Sequence, residues 1–140
     1  VLNEYIHRSN AAAATTWVSV YGDMGLKPTY VKAAFEYAYD ELKKQNVQNK
    51  VTLFYNDYDT YFSVDDELAL ISYINEGEEA KICGGIRVQS HVDIKRPTLE
   101  EYGNALKAFI NAGLEVQITE LDITINFDTD DTDGRTPTYA

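Results

Sequence analysis

The sequence is poor in cysteine and in basic residues, and it lacks any long apolar run. Cys83 is the only cysteine, so no internal disulfide can form, and the count does not fix a redox compartment. No run of apolar residues approaches the roughly 20 that a membrane-spanning helix needs. The first residues carry neither the basic nor the apolar region of a signal peptide.

Acidic residues outnumber basic ones by a wide margin. The 23 Asp and Glu against 12 Lys and Arg give a formal net charge of −11. Such a chain repels phosphate backbones and anionic lipid surfaces, so we expect neither a nucleic-acid nor a membrane partner. A neutral ligand is compatible with this charge. The 11 tyrosines offer flat apolar faces and hydroxyls that suit sugar rings, although most tyrosines simply pack.

Short apolar and β-branched runs predict the strands. They lie at residues 51–55, 85–89 and 116–119, and a fourth strand ends at Val1-Leu2. Each run is followed at once by polar residues. This is typical of strands that lead into loops.

Helical patterns fill the intervals between these strands. Pro28 suits a first helical turn, and apolar residues then recur at helical spacing. A second pattern starts after Ser63 and stops at Gly77, and a third starts at Thr98, which can form a capping box with Glu101. The resulting order β(αβ)3 predicts an α/β fold with a parallel sheet, either doubly wound or closed into a barrel.

Polar and ionisable residues stand at the end of every predicted strand. Function lies at the carboxyl ends of the strands in barrels and in open parallel sheets. We therefore expect these residues to converge on one site. In chain order they are Asn3-Glu4, Asn56-Asp57-Tyr58, Gln89-Ser90-His91 and Glu120-Leu121-Asp122.

Paired carboxylates at such a site suit glycoside hydrolysis, in which one carboxyl group protonates the leaving oxygen and the other attacks the anomeric carbon. A divalent-metal site formed by His91, Glu120 and Asp122 is the rival, although the sequence has no HxH, HExxH or cysteine cluster. The other histidine, His7, is expected in an exposed loop. No nucleophile elbow and no glycine-rich phosphate loop follows a strand, which disfavours serine or cysteine catalysis and nucleotide binding.

Four blocks of the sequence resemble glycoside hydrolase family 10 in their order and spacing. The blocks are VLNE, LFYNDY, GIRVQSH and ITELDI. The resemblance covers residues 1–125 and implies strands four to seven, with their helices, of a (β/α)8 TIM barrel. Residues 126–140 are expected to form an acidic loop or tail. Because such a barrel needs about 250 residues, the rest of it is expected from missing sequence or from another chain.

The resemblance also implies an activity and a set of roles. Glu4 would be the general acid/base and Glu120 the nucleophile of a retaining endo-β-1,4-xylanase that acts on xylan or xylo-oligosaccharides without a cofactor. Asn3 would bond the sugar hydroxyl next to the reacting carbon. His91, held by Asp122, would contact Glu120 and keep it ionised and aimed. The residues expected to line the substrate cleft are Asn56, Tyr58 and Gln89. By the same resemblance the protein is expected outside the cell or at its surface.

Two other functions remain open. One is a β-1,4-glucanase of the same mechanism, and the other is a non-catalytic xylan-binding or interaction fragment. Arg87 stands where the family usually has a small residue. By alternation it shares the facing direction of Gln89 and His91, so we expect it to crowd the barrel interior or to pair with an acidic neighbour. The 140 residues alone are expected to be inactive.

Overall fold

The computed structural model describes residues 2–8 and 18–125, so the predicted acidic tail lies outside the described residues. Strands and helices alternate along the chain. In order they are β1 (Leu2–Asn3), α1 (Ser19–Tyr21), α2 (Thr29–Lys44), β2 (Phe54–Tyr58), α3 (Val64–Asn75), β3 (Gly85–Asp93), α4 (Leu99–Asn111) and β4 (Glu115–Thr124).

The four strands form one sheet in the order β1-β2-β3-β4, and all three pairings are parallel. The predicted parallel α/β organisation is therefore confirmed. Gly85 begins β3 between Phe54 and Glu115. A Cβ at Gly85 would lie 2.3 Å from the Phe54 ring and 2.8 Å from the Glu115 carbonyl oxygen, so only glycine allows the strands to meet there.

Strand β2 lies about three residues later than the predicted run at 51–55. Leu53 only approaches the sheet, where its carbonyl oxygen accepts a hydrogen bond from Gly84 N at 3.0 Å. Regular pairing begins at Phe54 and continues through Tyr58. The polar residues that were expected to follow this strand are consequently part of it, and β3 and β4 likewise extend through their polar ends.

The helices begin and end near the predicted positions. Pro28 has an extended conformation and lies immediately before the first residue of α2, not inside its first turn. The predicted capping box at α4 is confirmed. Glu101 N donates to Thr98 Oγ1 at 3.1 Å, and Thr98 N donates to Glu101 Oε2 at 2.8 Å. This reciprocal pair satisfies backbone donors that the first helical turn would leave free.

The helices cover one face of the sheet and form the core with it. The fully buried members of this core include Val31, Phe35, Tyr55, Leu70, Ile74, Ile86, Val88 and Phe109. Along β3, Ile86 and Val88 face the helices, so alternation places Arg87, Gln89 and His91 on the opposite face. No helix in the described part of the chain is long and apolar enough to cross a membrane.

Among residues 2–8 and 18–125, Arg87 has no acidic side chain as an ion-pair partner. Its Nε donates to Gln117 Oε1 at 2.9 Å, and its guanidinium lies 5.3 Å from the centre of the Phe54 ring. Of the two alternatives expected for Arg87, the acidic partner is not found in the described part of the chain, where the register places the amide of Gln117 directly opposite Arg87 on β4. The aromatic ring and the amide oxygen together accommodate the cation.

Candidate active site

Glu4 follows β1 directly and has a left-handed backbone conformation. Its φ is 59°, which costs free energy for a residue with a Cβ, so neighbouring contacts must hold it. Glu4 N donates to the Asn56 carbonyl oxygen at 2.9 Å. Glu4 Oε1 accepts hydrogen bonds from Asn3 Nδ2 at 2.7 Å and from Gln89 Nε2 at 2.9 Å. The carboxyl group is thus held by two neutral amides.

These amides belong to a hydrogen-bond network that spans all four strands. Asn3 Oδ1 accepts from Asn56 Nδ2 and, at 3.3 Å, from Gln89 Nε2. Thr119 Oγ1 on β4 donates to Asn56 Oδ1 at 3.3 Å. The predicted site residues Asn3, Asn56 and Gln89 are therefore brought together beside Glu4, and a Thr119 that sequence reasoning missed connects them to the strand of Glu120.

His91 lies between two carboxylates of β4. Its Nε2 is 3.3 Å from Glu120 Oε2, and its Nδ1 is 3.0 Å from Asp122 Oδ2. The predicted contacts of His91 with both residues are present. A register shift between Gln89 and His91 places His91 directly opposite Asp122 and lets one imidazole reach both acids. Glu120, like Glu4, has a positive φ, of 57°.

Electrostatics favour the imidazolium form of His91. The hydrogen bond to Asp122 raises the pKa of His91 most, burial opposes it, and the charge of Asp122 and the hydrogen bond and charge of Glu120 add to the rise. Each imidazole nitrogen faces a different carboxylate, so the three side chains do not converge on a common point. Within residues 2–8 and 18–125, no group of three or more His, Cys, Asp or Glu side chains is arranged to hold a metal ion.

His7 is not exposed as expected. Its Nδ1 lies 2.8 Å from Oδ1 of Asp57, a side chain with no solvent exposure. The imidazole also stacks on the Tyr58 ring with 3.7 Å between ring centres. Burial opposes the charged imidazole, but the hydrogen bond to Asp57 and the acidic neighbours outweigh it and raise the pKa of His7. The prediction failed because the partner lies 50 positions away in the sequence.

Solved structures show the fold of which this chain is a segment. A family 10 glycoside hydrolase from Paenibacillus barcinonensis superposes with a TM-score of 0.73 at 24% identity, over 98% of this chain and 39% of that one. An intracellular xylanase from Thermoanaerobacterium saccharolyticum, solved as a mutant with xylotetraose, gives 0.61 at 26% identity, over 81% of this chain and 32% of that one. The parallel strands and their covering helices are part of a (β/α)8 barrel with its polar site at the carboxyl ends of the strands.

The sequence model of glycosyl hydrolase family 10 matches residues 1–139, and the chain belongs to this family. Endo-1,4-beta-xylanase A of Butyrivibrio fibrisolvens is 47% identical over 130 residues, which cover 93% of this chain and 30% of that enzyme. Bifunctional endo-1,4-beta-xylanase XylA of Ruminococcus flavefaciens is 36% identical over 118 residues, which cover 79% of this chain and 10% of that enzyme. The chain therefore spans less than a third of these relatives.

Proposed function

We propose that this chain supplies the two catalytic carboxyl groups of a retaining endo-β-1,4-xylanase, with Glu4 as general acid/base and Glu120 as nucleophile. The observation that carries the proposal is the difference between their partners. Glu120 contacts an imidazole whose raised pKa favours the cation, which suits a carboxylate that must stay ionised. The carboxyl group of Glu4 has only neutral amides as hydrogen-bond partners among the described side chains, which suits a group that must gain and lose a proton.

The reaction follows from these two environments. Glu120 attacks the anomeric carbon while Glu4 gives its proton to the departing glycosidic oxygen, and a covalent glycosyl-enzyme forms. Glu4, now ionised, takes a proton from water, which attacks the same carbon and releases Glu120. Two displacements at one carbon restore the original configuration.

The residues around the pair orient the sugar and the acids. Asn3 donates to Glu4 and accepts from two amides, which fix its side chain, and its proposed role is to bond the hydroxyl next to the reacting carbon. Asp122 fixes the ring of His91, which in turn aims Glu120. The side chains proposed to line the cleft are Asn56, Tyr58 and Gln89.

The proposal concerns the completed barrel, meaning this segment together with the polypeptide that supplies the remaining strands. The strand order leaves β1 and β4 as the outer strands of the described sheet. A xylan chain is the proposed substrate because the relatives compared above are named endo-1,4-beta-xylanases and one neighbour was solved with xylotetraose. The net charge of −11 is compatible with a neutral polysaccharide.

The test compares substrates and reads the product. The completed barrel should release reducing sugar from xylan faster than from carboxymethylcellulose, and proton NMR should show the β-anomer as the first product from xylo-oligosaccharides. Preference for carboxymethylcellulose would instead support the β-1,4-glucanase alternative. Calorimetric binding of xylo-oligosaccharides without turnover would support the non-catalytic alternative, and an α-anomer as first product would contradict the retaining mechanism.

A further inference from the structure

Asp57 is the fourth of the five residues of β2 and points away from the substrate side of the sheet. Its neighbours Asn56 and Tyr58 face the proposed cleft, whereas the Asp57 side chain has no solvent exposure. A carboxylate is costly to bury unless several donors satisfy it. Four donors meet Asp57, and two of them come from the segment that follows Glu4.

These two donors connect Asp57 to the residues next to the proposed acid/base. Ile6 N donates to Asp57 Oδ2 at 3.1 Å, and His7 Nδ1 lies 2.8 Å from Asp57 Oδ1. The other two donors come from β2 itself: the Tyr58 backbone N–H, at 2.8 Å from Oδ1, and the hydroxyl of Tyr55, which meets Oδ2. The Tyr55 hydroxyl also accepts from Ile6 N at 3.0 Å. Two side chains of β2 thus hold the backbone two residues after Glu4.

Glu4 needs a constraint on both sides because of its left-handed backbone. On the amino-terminal side, β1 pairs with β2 and Glu4 N donates to the Asn56 carbonyl oxygen. On the carboxyl-terminal side, Tyr5 is buried in the core and its hydroxyl donates to the Gly25 carbonyl oxygen at 2.7 Å, and the contacts of Ile6 and His7 with Asp57 add a second constraint. Loss of the contacts with Asp57 would loosen the segment after Glu4 and let its carboxyl group shift relative to the leaving oxygen.

We propose that Asp57 is the positioning residue of the general acid, acting on Glu4 through Ile6 and His7 without touching the substrate. The inference rests on the proposed role of Glu4. The buried ionisable groups around Asp57 are consistent with its positioning role. Burial, together with the charge of Asp57, raises the pKa of nearby Glu67 well above its ordinary value. Among the described residues, Glu67 makes no hydrogen bond to the segment after Glu4; its Oε1 accepts from Ser63 Oγ at 3.4 Å.

The test uses leaving groups of different basicity in the completed barrel. Phenyl β-xylobioside has a poor leaving group that needs a proton from the acid, whereas 2,4-dinitrophenyl β-xylobioside does not need one. In Asp57→Asn, the amide nitrogen cannot accept from the donors that one carboxylate oxygen served. We expect kcat/KM for the phenyl substrate to fall about tenfold or more, and that for the dinitrophenyl substrate to change by less than about twofold. A merely structural role would lower both values together.

Three further variants make the result decisive. Glu4→Ala should lose kcat/KM for the phenyl substrate selectively, as Asp57→Asn does, but to a larger degree. Glu67→Gln makes the matched carboxyl-to-amide change in the same buried cluster. It should change kcat/KM for the two substrates by the same factor. Tyr55→Phe removes only the hydroxyl that meets Ile6 and Asp57, so it serves if Asp57→Asn does not fold, and it should give a smaller loss of the same selective kind.

The outcomes separate the inference from the proposed function. Selective loss in Asp57→Asn or in Tyr55→Phe, but not in Glu67→Gln, supports the positioning role. Selective loss in Glu4→Ala alone, or equal loss on both substrates in the Asp57 and Tyr55 variants, overturns it. A completed barrel that does not cleave either substrate, or a Glu4→Ala variant without selectivity, contradicts the proposed role of Glu4 and this inference with it.

Discussion

Removing the imidazole of His91 should weaken the nucleophile without weakening substrate binding. In His91→Ala, Glu120 loses its only hydrogen-bond partner seen among the described residues, and two carboxylates are left near each other without a cation. The separation of 3.3 Å is longer than the usual 2.7–2.9 Å of charge-assisted hydrogen bonds. Both side chains are also about half exposed, at 48% and 49%.

These two features place the contact at the low end of the range for hydrogen bonds to charged groups, about 1.5 kcal/mol. If that energy is lost from the transition state, the rate falls about tenfold. The measured quantity is kcat/KM for 2,4-dinitrophenyl β-xylobioside, since this substrate needs the nucleophile but not the acid. The Kd of xylotriose should change by less than about twofold, because the contact does not involve the sugar.

Asp122→Asn is the matched control for this variant. This variant keeps the imidazole and its contact with Glu120 but replaces the partner that orients the ring. Its kcat/KM for the dinitrophenyl substrate should therefore fall less than that of His91→Ala. An unchanged kcat/KM in His91→Ala would refute the reasoning, as would a tenfold loss that appears wholly in the Kd of xylotriose. His91→Ala and Asp57→Asn should thus differ in kind, because only the former slows the dinitrophenyl substrate.

Three other predictions follow from the geometry. In a crystal structure of the completed barrel, the carboxyl groups of Glu4 and Glu120 should lie about 5–5.5 Å apart, and a separation near 9 Å would indicate inversion. The 140 residues alone should hydrolyse no xylan and should associate in analytical ultracentrifugation, because each outer strand of the described sheet has one unpaired edge and Ile118, Leu121 and Ile123 of β4 are exposed. An active monomer would contradict this prediction. NMR titration of the completed barrel should give His91 a pKa above its ordinary 6.5, and Asp122→Asn should lower it. Since a raised pKa means that folding favours the cation, the contact is at full strength below pH 6.5 and is lost as the pH rises through the raised value.

The sequence predicted the features that depend on local patterns. The capping box of Thr98 and Glu101 lies within four consecutive residues, and helical and strand spacing gave the parallel order directly. The start of β2 was misplaced because apolar residues such as Leu53 approach the sheet without pairing regularly in it. Spacing alone does not distinguish an approaching residue from a paired one.

The parallel order predicted that the four strand ends converge on one site, whereas contacts between particular distant side chains were predicted only where the family resemblance supplied them, as for His91 and Glu120. The pairing of His7 with Asp57 had no such source, and a histidine in a loop is exposed more often than not. One signal was available in the sequence of β2. Alternation between Asn56 and Tyr58 assigns Asp57 to the helix side, where a carboxylate requires buried donors.

The most direct test of the two proposed roles is the stereochemistry of azide rescue in the completed barrel. In Glu120→Ala, azide should replace the nucleophile in a single displacement and give the inverted α-glycosyl azide. In Glu4→Ala, the glycosyl-enzyme still forms on Glu120, so azide should attack it and give the retained β-glycosyl azide. The account predicts this pairing of variant and product, and the opposite pairing would contradict it by exchanging the acid/base with the nucleophile.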